Sequence, residues 1–234
     1  MHSFIEKNLN YLIFSFILLI LISLKIINPS LIKSISFLSF DLYQKVFVEK
    51  KGDTDVVIID IDETSLGKFG QFPWSRSVFA KIIDQVETSN PKAIGFDIFF
   101  TEKDKQSPDE IIKSYGLIPS DIVDLQKLKG HDDVFADKLK GAKTVTAVLG
   151  SNVPSHSNYD RKAKARFLSK GGDPKQFTYS YPYSIGSLEK LEKEVKGLGS
   201  ISFLDQLDGI IRSLPLIVRF NNKIYPTMGL EMVR

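Results

Sequence analysis

The sequence predicts an α/β fold: a mainly parallel sheet flanked by helices, with a carboxyl-terminal antiparallel hairpin, preceded by one transmembrane helix. Three observations carry that expectation. Residues 9–27 form an apolar stretch uncharged until Lys25, strand-like apolar runs alternate with helical periodicity from Asp55 onward, and two β-like runs near the end are separated by Asn221 and Asn222.

The first element is LNYLIFSFILLILISLKII, residues 9–27. A helix crossing a bilayer needs roughly 20 mainly apolar residues, and no polar stripe is left here for water. Asn28 and Pro29 follow instead of a small-residue cleavage site, so the segment reads as an uncleaved anchor. Lys7 with the amino terminus nearly balances Lys25 and Lys33, which leaves orientation undecided by flanking charge. From Pro29 to Phe47 the apolar residues Leu31, Ile32, Ile35, Leu38, Leu42 and Phe47 recur at mostly helical spacing, predicting a juxtamembrane helix. The organisation is then a tail at 1–8, a transmembrane helix at 9–27, a juxtamembrane helix at 28–49 and a domain at 50–234.

Within the domain, DVVIIDID after the polar break at Lys50–Asp53 reads as a strand buried on both faces. Pro73 and Ser75 announce a helix through Val78, Ile82, Ile83 and Val86, which Asn90 and Pro91 end before the strand KAIGFDIFF. A helix over Asp133–Lys140 leads into the strand KTVTAVLG, giving at least three parallel strands. Glu102–Gly130, with a short helix or two, and the polar stretch Ser151–Tyr183 are expected on the surface. A helix over Ser187–Val195, the strand GLGSISFL and the hairpin LPLIVRF/KIYP follow, and PTMGLEMVR opens a last helix.

Composition excludes several classes. The net charge of +3 is spread among interleaved acids and bases, which predicts no nucleic-acid partner. The absence of cysteine excludes disulfides, thiolate metal sites and a cysteine nucleophile. His2, His131 and His156 are too dispersed for a metal set, and neither metal nor cofactor is expected. The basic cluster Arg161, Lys162, Lys164, Arg166 and Lys170 reads as a solvated loop.

Asp60-Ile61-Asp62-Glu63-Thr64 after an apolar run looks like the first motif of haloacid-dehalogenase-type phosphotransferases, with Asp60 as nucleophile and Asp62 as general acid/base. Asp205 and Asp208 would supply a second acidic motif, but no Ser or Thr followed by a suitably placed Lys completes the set.

Several ordered motifs outweigh that short one. Asp62 and Ser65 form an Asp-x-x-Ser turn, Pro73, Trp74 and Arg76 a Pro-Trp-x-Arg box, Gly95 and Asp97 a Gly-x-Asp, and Asp208 to Pro215 an Asp-Gly-x-x-Arg-x-x-Pro run. In this order they resemble the second CHASE family of sensory domains over roughly Asp41 to Arg234. The resemblance implies a cytoplasmic tail, a single helix through the cell inner membrane and a periplasmic or cell-surface domain that is not an enzyme. It also implies an output such as a nucleotide cyclase or kinase that these residues do not contain. Expected partners are the membrane, a second copy in a homodimer, and an unknown small ligand or envelope protein; a structural scaffold of a cell-envelope assembly is a further alternative. Asp62, Ser65, Trp74, Arg76, Asp97, Asp208 and Arg212 are the candidate polar cluster. Either Asp62 and Asp97 sit with Arg76 at the carboxyl ends of adjacent strands as a ligand pocket, or Arg76 pairs with one of them while Trp74 fills the core. Asp208, Gly209 and Arg212 are expected to form a turn.

Overall fold

The computed structural model describes residues 2–27, 30–48, 52, 55–117, 124, 127–155, 159–203 and 208–234. The chain divides into two units, Met1–Asp60 and Ile61–Arg234. In the first, α1 (His2–Ile27) and α2 (Ser30–Val46) realise the expected helices. Along α1 the side chains of Leu12, Phe14, Phe16, Leu19 and Leu21 are all more than half exposed. Among the described residues no single helix is long and apolar enough to cross a membrane, whereas α1 and α2 meet that requirement together as a bent pair.

One predicted strand is absent. Val56–Ile59 forms no ladder, and Val57 and Ile58 are 85% and 86% exposed. A continuous apolar run states that its side chains avoid water but not what covers them, so the strand reading had no partner built into it.

In the second unit, α3 (Glu63–Phe69) leads to α4 (Arg76–Glu87), followed by β1 (Ile94–Phe96), α5 (Pro108–Tyr115), α6 (His131–Gly141) and β2 (Thr144–Ser151). Then come β3 (Tyr179–Tyr181), β4 (Tyr183–Ile185), α7 (Glu189–Glu194), β5 (Gly197–Ser200), β6 (Ile217–Phe220), β7 (Lys223–Pro226) and α8 (Met228–Val233). The fold is mixed α/β with two mixed sheets. In one, β2 lies parallel to both β1 and β5 and antiparallel to β4. In the other, β3 runs parallel to β6, which forms the expected hairpin with β7. Asn221 and Asn222 both take positive φ, 45° and 64°, as a two-residue turn matched to strand twist requires. Gly199 is needed for packing rather than for its dihedral: a Cβ there would stand 2.5 Å from Met228 Cα at the start of α8.

Two helices dominate the core, and their burial patterns are the same. In α4 the buried residues are Arg76, Phe79, Ala80 and Ile83; in α6 they are Asp132, Phe135, Ala136 and Leu139. Both read i, i+3, i+4, i+7, so one turn of each helix supplies the polar start of an apolar stripe. Of the predicted apolar residues Val78, Ile82, Ile83 and Val86, Ile83 is buried and the other three are half-buried. Phe79, Phe100 and Phe135 then form an edge-to-face and tilted cluster with centroids 5.0–6.0 Å apart, a geometry that adds to simple area burial.

The two stretches predicted to be surface loops are not wholly so. Asp104 and Ser107 are 5% and 2% exposed, and Arg161 is 2% exposed. Their polarity is matched by internal partners, which composition cannot reveal.

Candidate functional site

The amino-terminal ends of α4 and α6 converge on one carboxylate. Ser75 caps α4, and its hydroxyl donates to Asp104 Oδ2 at 2.7 Å; the Arg76 amide donates to the same oxygen at 2.6 Å. Asp104 Oδ1 accepts from the Gln106 amide at 2.9 Å. His131 begins α6 with Nδ1 2.7 Å from Ser75 Oγ and 3.2 Å from Asp104 Oδ2, and its amide donates to Ser107 Oγ at 3.0 Å. Asp132 Oδ2 accepts the Asp104 amide at 3.1 Å. Unpaired amides at helix starts favour such a charge. Burial pushes Asp104 upward, but the hydrogen bonds from Ser75, Arg76 and Gln106 outweigh it and hold the carboxyl below its usual value. At Asp132 burial prevails and the carboxyl is raised.

Ser75, His131 and Asp104 are the residue types of a hydrolase triad, but not its arrangement. The single Ser75 proton is given to Asp104, so His131 donates to Ser75 rather than accepting from it. A triad also needs the carboxylate on the far ring nitrogen, whereas both contacts here fall on Nδ1. The cluster ties two helices and the 101–107 loop together.

Arg76 stands at the edge of this network, 8% exposed. Its guanidinium lies 4.6 Å over the Phe100 ring, with Nη2 donating to Glu102 O at 3.1 Å and Nη1 reaching Trp74 O at 3.5 Å. Nε is 3.7 Å from Asp132 Oδ1, too far for a hydrogen bond, and both atoms are buried without one. Burial lowers the guanidinium from its ordinary value, and the charges of Asp132 and Asp104 oppose that. Beside Arg76 lies a cavity of about 180 Å³ whose walls include Phe72, Trp74, Phe100, Lys103 and Gln106. Trp74 is held by its indole N–H on Gly70 O at 2.7 Å.

Of the predicted polar cluster, the structure brings Trp74 and Arg76 together at this cavity. Asp62 is the N-cap of α3, accepting from the Ser65 amide at 2.8 Å and hydroxyl at 2.7 Å, and hydrogen bonding from Ser65 lowers its carboxyl. Asp97 follows β1 and is exposed. Arg76 thus faces Asp132, not Asp62 or Asp97, because Asp132 holds the matching position on the helix that packs against α4. Asp208 and Arg212 form their own turn at 2.7 and 3.0 Å, with Gly209 at φ 73°. Asp60 is exposed at the end of the first unit. Asp205 and His156, with the side chain of His2, lie outside the described residues. Arg161, read as part of a solvated basic loop, is instead buried against Glu192 at 3.1 Å. Among the described residues no group of three His, Asp or Glu side chains is placed to hold a metal.

Sequence reasoning missed Asp104, His131 and Asp132. The signal for Asp132 was available in its phase, one turn before Phe135, Ala136 and Leu139, as Arg76 precedes Phe79, Ala80 and Ile83. Asp104 has no local signal, since it sits in a polar stretch and its side-chain partners are 27 residues or more away, apart from Gln106.

The fold and cavity define the class: an α/β domain with a buried cation at an aromatic-walled recess and its nearby serine and carboxylates engaged as helix caps. The chain belongs to the CHASE2 domain family, a family of extracellular sensory domains, which it matches over residues 13–234. That span begins well before Asp41, where the resemblance read from the sequence starts. No curated protein and no solved structure gives a significant match.

Proposed function

We propose that this chain is the extracytoplasmic sensory input module of a membrane signalling protein, held to the inner membrane by its amino-terminal helix and working as a homodimer. The observation that carries the reading is the CHASE2 match across residues 13–234. Supporting the anchor, α1 is apolar on all sides and its large side chains lie exposed, as lipid-facing residues would. Asp62 and Ser65, Asp208 and Arg212 shape turns, while Trp74 and Arg76 face the cavity where a stimulus is received. The output is a separate nucleotide cyclase or kinase domain, and the stimulus acts by favouring one of two arrangements of the module.

The chain has no cysteine, so single cysteines at exposed Lys105 or Lys170 report placement without background. Both should react with a membrane-impermeant maleimide in intact spheroplasts. Labelling only after the membrane is breached places the domain in the cytoplasm and ends the proposal.

A further inference from the structure

We propose that the cavity beside Arg76 binds a small organic carboxylate carrying a single aromatic ring or an equally compact apolar body. The inference names the ligand class of the sensory site proposed above and rests on that reading for its biological sense, while its chemistry stands on the cavity.

The charge preference comes from Arg76. A guanidinium has five N–H groups, and here two of them are bonded, to Glu102 O and Trp74 O. The Nε–H is buried toward Asp132 Oδ1 at 3.7 Å, which leaves two Nη hydrogens for a ligand. Gln106 adds an amide to the same wall, while Lys103 and Lys105 there are each paired with a carboxylate, Glu110 at 3.1 Å and Glu102 at 3.2 Å. The acidic residues of the wall are likewise engaged. Asp104 already accepts three hydrogen bonds across its two oxygens. Glu102 is tied to Lys105 at 3.2 Å on the exposed rim. What remains for an incoming group is donor capacity, and the planar fork of arginine matches a carboxylate.

The body preference comes from the walls and the size. Phe72, Trp74, Ile98 and Phe100 line the recess. A cavity near 150 Å³ takes benzene, so about 180 Å³ accommodates one ring and a carboxylate directed at Arg76. Inorganic phosphate would leave the aromatic walls uncovered, and a neutral ring would leave the remaining Nη hydrogens of Arg76 without an acceptor. The wall is also mechanically connected: Glu102 and Asp104 belong to the loop that Asp104 fastens to the starts of α4 and α6, so filling the cavity bears on the junction of the two core helices.

Trp74 is the single tryptophan of the chain and part of this wall, so its fluorescence reads the site directly. The full chain in detergent is titrated with benzoate, with its neutral isostere benzamide and with acetate. Benzoate should change Trp74 emission saturably, with a half-saturation concentration roughly tenfold or more below that of benzamide, the scale of a charge-assisted hydrogen bond, and below that of acetate. Arg76→Gln should abolish the benzoate preference. Because that change also unpairs Asp132, Phe72→Ala at the cavity rim serves as the second variant. It should weaken benzoate and benzamide alike, several-fold, while keeping their ratio. Equal affinity for benzoate and benzamide, absence of saturation with benzoate, or unchanged benzoate binding in Phe72→Ala overturns the ligand class. The maleimide placement assay is independent of these titrations, so failure of the sensory reading is seen separately.

Discussion

Among its described residues the domain buries two arginine–carboxylate pairs, and they are built differently. Arg161 and Glu192, with side chains 1% and 3% exposed, meet at 3.1 Å. Arg161 Nη1 also donates to Ser184 O and Oγ at 3.0 Å each, its guanidinium stacks 4.4 Å from the Tyr159 ring, and the Tyr159 hydroxyl donates to Glu192. Even its carbonyl is used, accepting from the Tyr225 hydroxyl at 2.9 Å. Arg76 and Asp132 stay 3.7 Å apart with an unbonded atom on each side. A pair with its lone pairs and protons satisfied holds structure and has nothing left to offer; a loose pair at a cavity retains donors for something else. The closed pair pins the 159–161 stretch to α7, β4 and β7, whereas the open one joins the starts of α4 and α6 beside the cavity.

The largest expected difference is in stability. Glu192→Ala strands Arg161 in the interior and should cost about 3–5 kcal/mol, the range for breaking one side of a buried pair. Asp132→Ala should cost less, about 1–3 kcal/mol, since the hydrogen bond to the Asp104 amide is lost but the ion pair was weak. Urea unfolding of both variants makes the comparison, and equal losses would dissolve the distinction between closed and open pairs.

A double-mutant cycle sharpens it. The coupling between Arg161 and Glu192 should fall near the top of the roughly 0.5–3 kcal/mol range for contacting residues, and that between Arg76 and Asp132 near the bottom.

Acid dependence separates the carboxylates around the open pair. Asp104 is depressed in the folded state, so its contribution is present above 3.8 and lost as pH falls through its folded value. Asp132 is raised, so its contribution is complete below 3.8 and lost as pH rises through its folded value. Asp104→Asn should therefore flatten the acid limb of stability against pH, and Asp132→Asn should remove the decline on its upper side. Urea midpoints measured across the acidic range test both signs.

The smallest effect belongs to the exposed turn. The Arg212 guanidinium holds the Asp208 carboxyl down at about 2. Arg212→Gln should return its NMR titration toward 3.8 with little change in the unfolding midpoint, because the Asp208 end of the pair is exposed to solvent.

Elements with local signals were legible in advance. Ser75 starts α4 as a cap, Asp62 and Ser65 make their turn, Asn221 and Asn222 close the hairpin, and the α6–β2 and α7–β5 successions lie where periodicity placed them. The candidate site was half legible: Trp74 and Arg76 were singled out, but the partner of Arg76 was assigned to Asp62 or Asp97. Strand-end proximity was the basis of that assignment, and it failed with the missing strand at Val56–Ile59. Asp104 and Arg161 were hidden for a related reason, since a charged residue in a polar stretch reads as solvated until its distant acceptors are known.

By itself the sequence determined the apolar amino-terminal helix, the order of helices and strands apart from the missing strand at Val56–Ile59 and the unpredicted β3 and β4, the caps and turns, and, through its ordered motifs, the family. These depend on residues within about one helical turn or on linear order. Tertiary structure alone decided which distant polar groups meet: Arg76 with Asp132, Arg161 with Glu192 at a separation of 31 residues, and Ser75 with His131 at 56. Pairing of buried ions depends on which faces pack and at what distance, and neither quantity is written in the spacing along the chain.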